Sequence, residues 1–175
     1  CTDLHGWHGR WGGEYQAGHE FCARVEEAGD GVSNVTEGMR VTGECFGHCG
    51  ECAACVRGDY NHCENIQWQV GRPGGAMADH VCYRSEALFA LPDELTDRQG
   101  ALVEPLAVAV HAVGRARVEE GASVAIIGAG TIGLLCAAVA QVRGAKRIFS
   151  VAKYDQQAEM ACEMGATDVL RVGDS

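Results

Sequence analysis

Ser123-Val124-Ala125-Ile126-Ile127-Gly128-Ala129-Gly130-Thr131-Ile132-Gly133 is the stretch whose reading settles the fold of this chain. Its first five residues form an apolar, β-branched run suited to a strand buried in a parallel sheet. The glycines that follow have GxGxxG spacing, and Ile132 to Val142 continues as an apolar run of helical length. On its own the motif is weak. Between a strand and a helix it acquires physical meaning: the first glycine turns the chain, the second admits a pyrophosphate, and the third lets helix pack on strand. Unpaired amides and the dipole at the helix N-terminus favour such an anion. Gly128, Gly130, Thr131, Ile132 and Gly133 are therefore candidate dinucleotide contacts, against the plainer reading that the glycines serve packing alone.

Downstream, Arg147 to Val151 reads as a second strand, Gln156 to Met164 as a second helix, and Asp168 to Arg171 as the opening of a third strand. This β-α-β-α-β alternation predicts a parallel, doubly wound sheet of which two and a half units are present. A site preferring NAD places an acid at the end of the second strand to bind the ribose hydroxyls. That place falls near Ala152, with Lys153 next. The balance tips toward NADP, because a cation in place of a carboxylate favours a 2′-phosphate; an ordinary surface role for Lys153 is the alternative.

Upstream, Asp93-Glu94-Leu95-Thr96-Asp97 looks like a helix start, followed by an Ala-rich apolar stretch from Ala101 to Val113. A helical segment over 92–118 would bridge two domains, 1–91 and 119–175. The first part is rich in Gly, His and Cys. Phe21 to Glu26, Met39 to Glu44 and Ala78 to Tyr83 are its strand candidates, with turns at Gly29-Asp30-Gly31 and Arg72-Pro73-Gly74-Gly75.

Within that part, Cys49, Cys52, Cys55 and Cys63 have the spacing C-x2-C-x2-C-x7-C. Short x2 loops turn backbone amides toward the thiolates while the sulfurs converge on a tetrahedral ion, and the fourth cysteine closes the cage. Disulfides are disfavoured, since three cysteines within seven residues cannot easily pair among themselves without strain. Four thiolates alone do not identify the ion, so an iron-sulfur cluster stays open beside zinc. Such a closed site has no position for substrate and should fold a lobe. Cys45, His48 and His62 flank it as solvated or supporting groups; Cys22, Cys82, Cys136 and Cys162 fit buried small apolar positions.

Bulk properties narrow the class. Of 175 residues, 47% are hydrophobic and 22% charged, with only 3 prolines, which is the composition of a globular chain rather than a disordered one. Fourteen basic against 24 acidic side chains give a net charge of -10, which disfavours nucleic acid and anionic membrane surfaces as partners. The longest apolar candidate, Thr131 to Val142, is too short for a bilayer span. Ten cysteines could mean a secreted disulfide scaffold, but the long apolar α/β segment fits metal binding in a reducing, cytoplasmic compartment better.

Gly18-His19-Glu20-Phe21-Cys22-Ala23-Arg24-Val25-Glu26-Glu27-Ala28-Gly29-Asp30-Gly31-Val32 resembles the zinc-site signature of the medium-chain, zinc-containing alcohol dehydrogenases, departing at Ala23 where that family has glycine. Thr2-Asp3-Leu4-His5 is similar to the family's C-x-T/S-D-x-H segment, and the cysteine lobe to its structural zinc loop. Glu104-Pro105-Leu106-Ala107-Val108-Ala109-Val110-His111 resembles the E-P-L-x-x-x-x-H stretch of polyol and secondary-alcohol members. With the glycine turn, five motifs in order cover nearly the whole chain.

The resemblance implies an α/β plus β fold: a partial GroES-like β domain over 1–91 with a four-cysteine zinc lobe, then the first half of a Rossmann sheet over 119–175, cut at both ends. It implies a catalytic zinc held by a cysteine, His19 and a carboxylate or water, with Glu104 near the metal or its water and Glu20 a supporting or exchangeable ligand. The family's ligand cysteine stands two places before the threonine, whereas Cys1 stands one place before Thr2. Either the ligand lies just upstream, or Cys1 is the ligand and one residue has been lost.

The implied activity is oxidation of a small secondary alcohol or polyol by hydride transfer to NAD or NADP. Thr2 would pass the hydroxyl proton outward with His5 as relay, while Trp7, His8 and Trp11 line the cleft. A dimer or tetramer is expected of the parent. The competing reading is a zinc-stabilised dinucleotide-binding module or fragment without turnover, which would hold one zinc rather than two; a zinc-free quinone reductase would have no use for the cysteine lobe or the His19-Glu20 pair.

Overall fold

Residues 2–10, 16–69 and 75–173 are described by the structure, a computed structural model. Cys1, Trp11 and the turn residues Arg72, Pro73 and Gly74 lie outside the described residues. The chain divides into two compact units, Cys1–Glu104 and Pro105–Ser175. The division falls inside the segment 92–118.

The first unit opens on a short helix, α1 (Thr2–Trp7), in a region where the sequence suggests strands and turns. Its sheet is antiparallel, in the order β1 (Ala23–Arg24), β2 (Arg40–Gly43), β5 (Leu88–Ala90). The strand expected over Ala78 to Tyr83 does not form. Instead β2 pairs with β5, Val41 against Ala90 and Gly43 against Leu88. Tyr83 contributes by packing rather than by a ladder: its ring meets Phe21 edge-on at 5.2 Å, and its hydroxyl donates to the Glu44 carbonyl at 2.7 Å. Gly43 makes room for both rings, since a Cβ there would come within 2.8 Å of Tyr83 and 3.0 Å of Phe21.

Two short strands, β3 (Phe46–Gly47) and β4 (Gln67–Trp68), pair antiparallel and frame the cysteine lobe, which carries α2 (Ala53–Val56) and a 3-10 turn over Tyr60–His62. Thr96 then starts α3 (Asp97–Ala101) with a capping box: the Gln99 amide donates to Thr96 Oγ1, and the Thr96 amide donates to Gln99 Oε1. These reciprocal bonds satisfy two donors that a helix start leaves unpaired. The helix α4 (Val103–Arg115) follows, with Glu104 and Pro105 in its first turn, where proline removes no helical hydrogen bond.

The second unit is a parallel sheet in the order β6 (Ser123–Ile127), β7 (Arg147–Ala152), β8 (Asp168–Arg171). The connections carry α5 (Thr131–Val142) and α6 (Asp155–Glu163). Each element lies within a residue or two of its expected position. Ile148 on β7 is fully buried among Ala109, Val113, Val118, Ala137, Val139 and Ala140, so small residues on α4 and α5 let both helices approach the sheet closely. Of the cysteines expected in buried apolar places, Cys22 and Cys136 are half-buried but Cys82 and Cys162 are exposed. Cys162 is about 100° round α6 from the buried Ala161, on a side that meets solvent.

Candidate metal centres and dinucleotide turn

The four lobe sulfurs form a cage. Sγ separations are 3.5 Å for Cys52 and Cys55, 3.6 Å for Cys49 and Cys63, 3.9 Å for Cys49 and Cys55, and 4.0 Å for Cys52 and Cys63. A tetrahedral zinc with Zn–S bonds of about 2.3 Å requires sulfur edges of about 3.8 Å. The cage therefore fits one zinc-sized ion. It excludes disulfides, which need about 2.05 Å, and is too tight for an iron-sulfur cluster, in which several irons separate the cysteine sulfurs.

Backbone amides point at the cage. Cys52 N–H donates to Cys49 Sγ, while Cys49 and Asn65 N–H both donate to Cys63 Sγ, each at 3.3 to 3.4 Å. Amide donors from Cys55 and Glu64 hold the Cys52 thiol down at about 6, whereas burial and the neighbouring Cys52 sulfur push Cys55 up to about 12. Cys49 is lowered too, by the Glu51 and Cys52 amides, while Cys55 resists, as expected where adjacent sulfurs share negative charge until a cation neutralises them. Cys45 stands apart, raised to about 11 chiefly by burial. His48 faces the Tyr60 ring at 4.8 Å, and Tyr60 donates to Glu44 Oε1 at 2.9 Å, so these residues buttress the lobe.

A second cluster lies within the first unit. His19, Glu20 and Glu104 each offer a ligand atom, all within 4.8 Å of one another. Gly18 sets the His19 backbone: it has φ +101°, and a Cβ would come within 2.4 Å of the Met77 amide nitrogen. The Gly18 amide donates to Asp3 Oδ1 at 2.8 Å, and its carbonyl accepts from Ala76. Asp3 Oδ2 also lies 3.3 Å from His19 Nδ1, a charge-pair distance that lacks hydrogen-bond geometry, so this buried nitrogen has no hydrogen-bond partner among the described residues.

Electrostatics points the same way. Burial pushes the Glu104 carboxyl above its ordinary value, His19 opposes that shift, and Glu20 and Asp3 add to it. A histidine with two nearby carboxylates and an unsettled charge is a donor set suited to a divalent cation with an open coordination position. Thr2 and His5 are exposed on α1, where Arg10 Nη1 lies 3.3 Å from His5 Nε2.

The glycine turn of Gly128 to Gly133 lies in the second unit. Gly128 has φ +106°, and its amide donates to the Val151 carbonyl at 3.2 Å, fixing the turn beside the end of β7. A Cβ on Gly133 would sit 1.8 Å from the Gly128 carbonyl oxygen, whereas one on Gly130 would enter open space. The third glycine is thus required for helix packing, and the second leaves clear the volume that a pyrophosphate needs. Gly130 is the N-cap of α5 and offers no side-chain cap, so the Thr131, Ile132 and Gly133 amides are those that helix geometry leaves for an anion. Ala152 is fully buried at the end of β7, and Lys153 is exposed.

One residue beside these candidate ligands escaped the reading of the sequence as a positioning group. Asp3 meets His19 only through the fold; its one signal is its place in the Thr2-Asp3-Leu4-His5 segment.

The chain belongs to the alcohol dehydrogenase family with a GroES-like domain, whose pattern it matches over residues 1–93. It is similar to L-idonate 5-dehydrogenase of Vitis vinifera, with 38% identity across 89% of this chain and 43% of that protein. Sorbitol dehydrogenase of Bombyx mori is 38% identical, covering 89% of this chain and 45% of the relative. Among solved structures, one from Sinorhizobium meliloti 1021, assigned as a zinc-binding dehydrogenase and bound to NADP, superposes with a TM-score of 0.91 at 34% identity. It covers 99% of this chain and 52% of its own. The chain spans about half the length of the relatives it matches.

Proposed function

We propose that the protein oxidises a small secondary alcohol or polyol by hydride transfer to NAD or NADP, using one structural and one catalytic zinc. The observation that carries this reading is the convergence of Glu104 on the adjacent pair His19 and Glu20, from a distant part of the sequence. The relatives named for idonate and sorbitol support the substrate class, and the NADP-bound neighbour supports the cofactor class.

Zinc at the second cluster would supply Lewis acidity that makes an alcohol hydroxyl easier to deprotonate, and the nicotinamide would accept the hydride. The protein's own groups do the rest. His19 would hold the ion, and Asp3, beside Nδ1, would fix the ring's orientation and leave Nε2 for the metal. Glu104 would ligate the ion or orient a water beside it, with Glu20 exchanging in that role. Thr2 would take the hydroxyl proton and pass it toward His5 at the surface. Cys49, Cys52, Cys55 and Cys63 would hold the structural ion and keep the lobe folded. Gly128, Gly130 and the α5 amides would seat the pyrophosphate, and Lys153 would lie near the adenosine ribose.

Assembly into a dimer or tetramer and a cytoplasmic location complete the proposal; free thiols at the lobe are kept ready for metal in a reducing compartment. Among the described residues no helix is long and apolar enough to cross a membrane. The test is metal analysis of the complete gene product together with steady-state oxidation of sorbitol, xylitol and 2,3-butanediol, with NAD and NADP in parallel. Two zinc ions per chain and turnover are expected. One ion and no oxidation of any substrate would instead identify a non-catalytic dinucleotide-binding module.

A further inference from the structure

We propose that Arg40 and Gly100 are positioning residues for the second cluster: together they seat α3 against β2 and the Cys22 end of the His19 segment, and so set the reach of Glu104 toward His19. The role rests on the reading of His19, Glu20 and Glu104 as a metal site and adds to it the parts of the fold that keep those ligands in register. Glu104 comes three residues after Ala101, the last residue of α3. The Leu102 amide donates to the Gln99 carbonyl at 3.1 Å, and Leu102 keeps helical dihedrals, so no slack separates α3 from α4. A shift of α3 is therefore carried to Glu104.

Arg40 fastens the start of α3. It lies on β2, and its side chain is only 15% exposed. One nitrogen, Nη2, donates to the Leu95 carbonyl at 2.6 Å and lies 2.9 Å from Asp97 Oδ1. Asp97 is 83% exposed, so the ion pair by itself contributes little. The carbonyl contact is the stronger tie, because its donor is charged and largely shielded from water. Arg40 is held in turn by its strand: it pairs in register with Arg24, and its carbonyl accepts from the Leu91 amide at 2.8 Å.

Gly100 sets the other contact. It is buried in α3, and a Cβ there would come within 2.7 Å of Leu91 Cδ1, 3.0 Å of Cys22 Sγ and 3.1 Å of Cys22 Cβ. The absence of a side chain is what lets the helix lie this close to Cys22, whose Sγ is also 3.7 Å from Asp97 Oδ1. Cys22 follows His19 by three residues, and Glu104 follows Gly100 by four. The two segments thus run side by side in opposite directions, from Cys22 against Gly100 to His19 against Glu104. A wedge or a loosened tie at one end of this pairing moves the ligand atoms at the other, which lie within 4.8 Å of one another. Groups that orient metal ligands typically change affinity by about 10- to 100-fold when lost.

The test reads metal rather than turnover. Cobalt(II) is titrated into the complete gene product with zinc already in the cysteine lobe, so that its d–d absorption reports the second site alone. Arg40→Met and Gly100→Ala should each weaken cobalt binding there about tenfold or more, with the lobe zinc retained and the melting temperature lowered by a few degrees at most. Arg40→Lys should recover part of the affinity, since one ammonium can donate to the Leu95 carbonyl as Nη2 does. Asp97→Asn should change it by about twofold at most. Unchanged cobalt affinity in both Arg40→Met and Gly100→Ala, whatever happens to the melting temperature, would show that these residues serve the fold alone and overturn the role while leaving the metal site standing. A wild-type protein that takes up no cobalt beyond the lobe would remove the metal reading of the second cluster, and this role with it.

Discussion

Replacing His19 by alanine is expected to lower kcat/KM for alcohol oxidation by about a thousandfold or more and to remove one of two zinc ions. His19 is the one nitrogen donor of the second cluster, and Glu20 and Glu104 remain as carboxylates close together. Without the imidazole, two acids of like charge must share the ion, and the outer support from Asp3 no longer has a ring to orient. The lobe cysteines are untouched, so the other zinc should stay bound and the melting temperature should move by a few degrees at most. Metal analysis and thermal melts on the same sample check this. A variant that keeps both ions and most of its activity would show that the cluster is not the catalytic centre.

Cys63→Ser is expected to do the reverse in kind. Cys63 is the buried member of the cage; its sulfur accepts hydrogen bonds from the Cys49 and Asn65 amides and lies 3.6 Å from Cys49 Sγ. A serine hydroxyl is a poor zinc ligand, and three thiols without the ion repel once ionised. The lobe has few other means of support: two two-residue strands, an α-turn, a 3-10 turn over Tyr60–His62 and a cluster of Phe46, Tyr60 and Trp68. Loss of the ion should therefore cost at least about 3 kcal/mol and lower the melting temperature of the first unit by on the order of 10 °C. Chelation of the wild-type protein should reproduce the effect. Unchanged stability with one zinc missing would mean that the lobe is held by packing alone.

How far the fold could be read in advance follows from how local each signal is. The cysteine cage and the glycine turn are written in short windows, because each needs fixed spacing and particular side chains, and both stand where the sequence placed them. Strands β6 to β8 were equally legible, since a buried parallel strand shows as an apolar run. The first unit was less so. Ala78 to Tyr83 has strand-like composition, yet β2 takes Leu88 to Ala90 as its partner. Which of two plausible segments reaches a sheet edge is decided by packing across the domain, here by Phe21, Gly43 and Tyr83, and leaves no trace in either segment alone. The second cluster shows the same division. His19 and Glu104 were visible through their motifs, while the role of Asp3 depends on a neighbour brought in by the fold.

The two clusters differ in how much chain each must gather. The sulfurs of the cage come from positions no more than 14 apart, whereas His19 and Glu104 bracket most of the first unit. During translation the cage can close as soon as Cys63 clears the ribosome, with a short loop to order and little entropy lost. The other site cannot exist until Glu104 has been made and brought beside His19. Metallation should thus be sequential, so that one zinc is captured at the rate of a local loop and the second at the rate of global folding. Stopped-flow refolding with a zinc-sensitive dye would resolve the two phases, and simultaneous uptake of both ions would contradict that order.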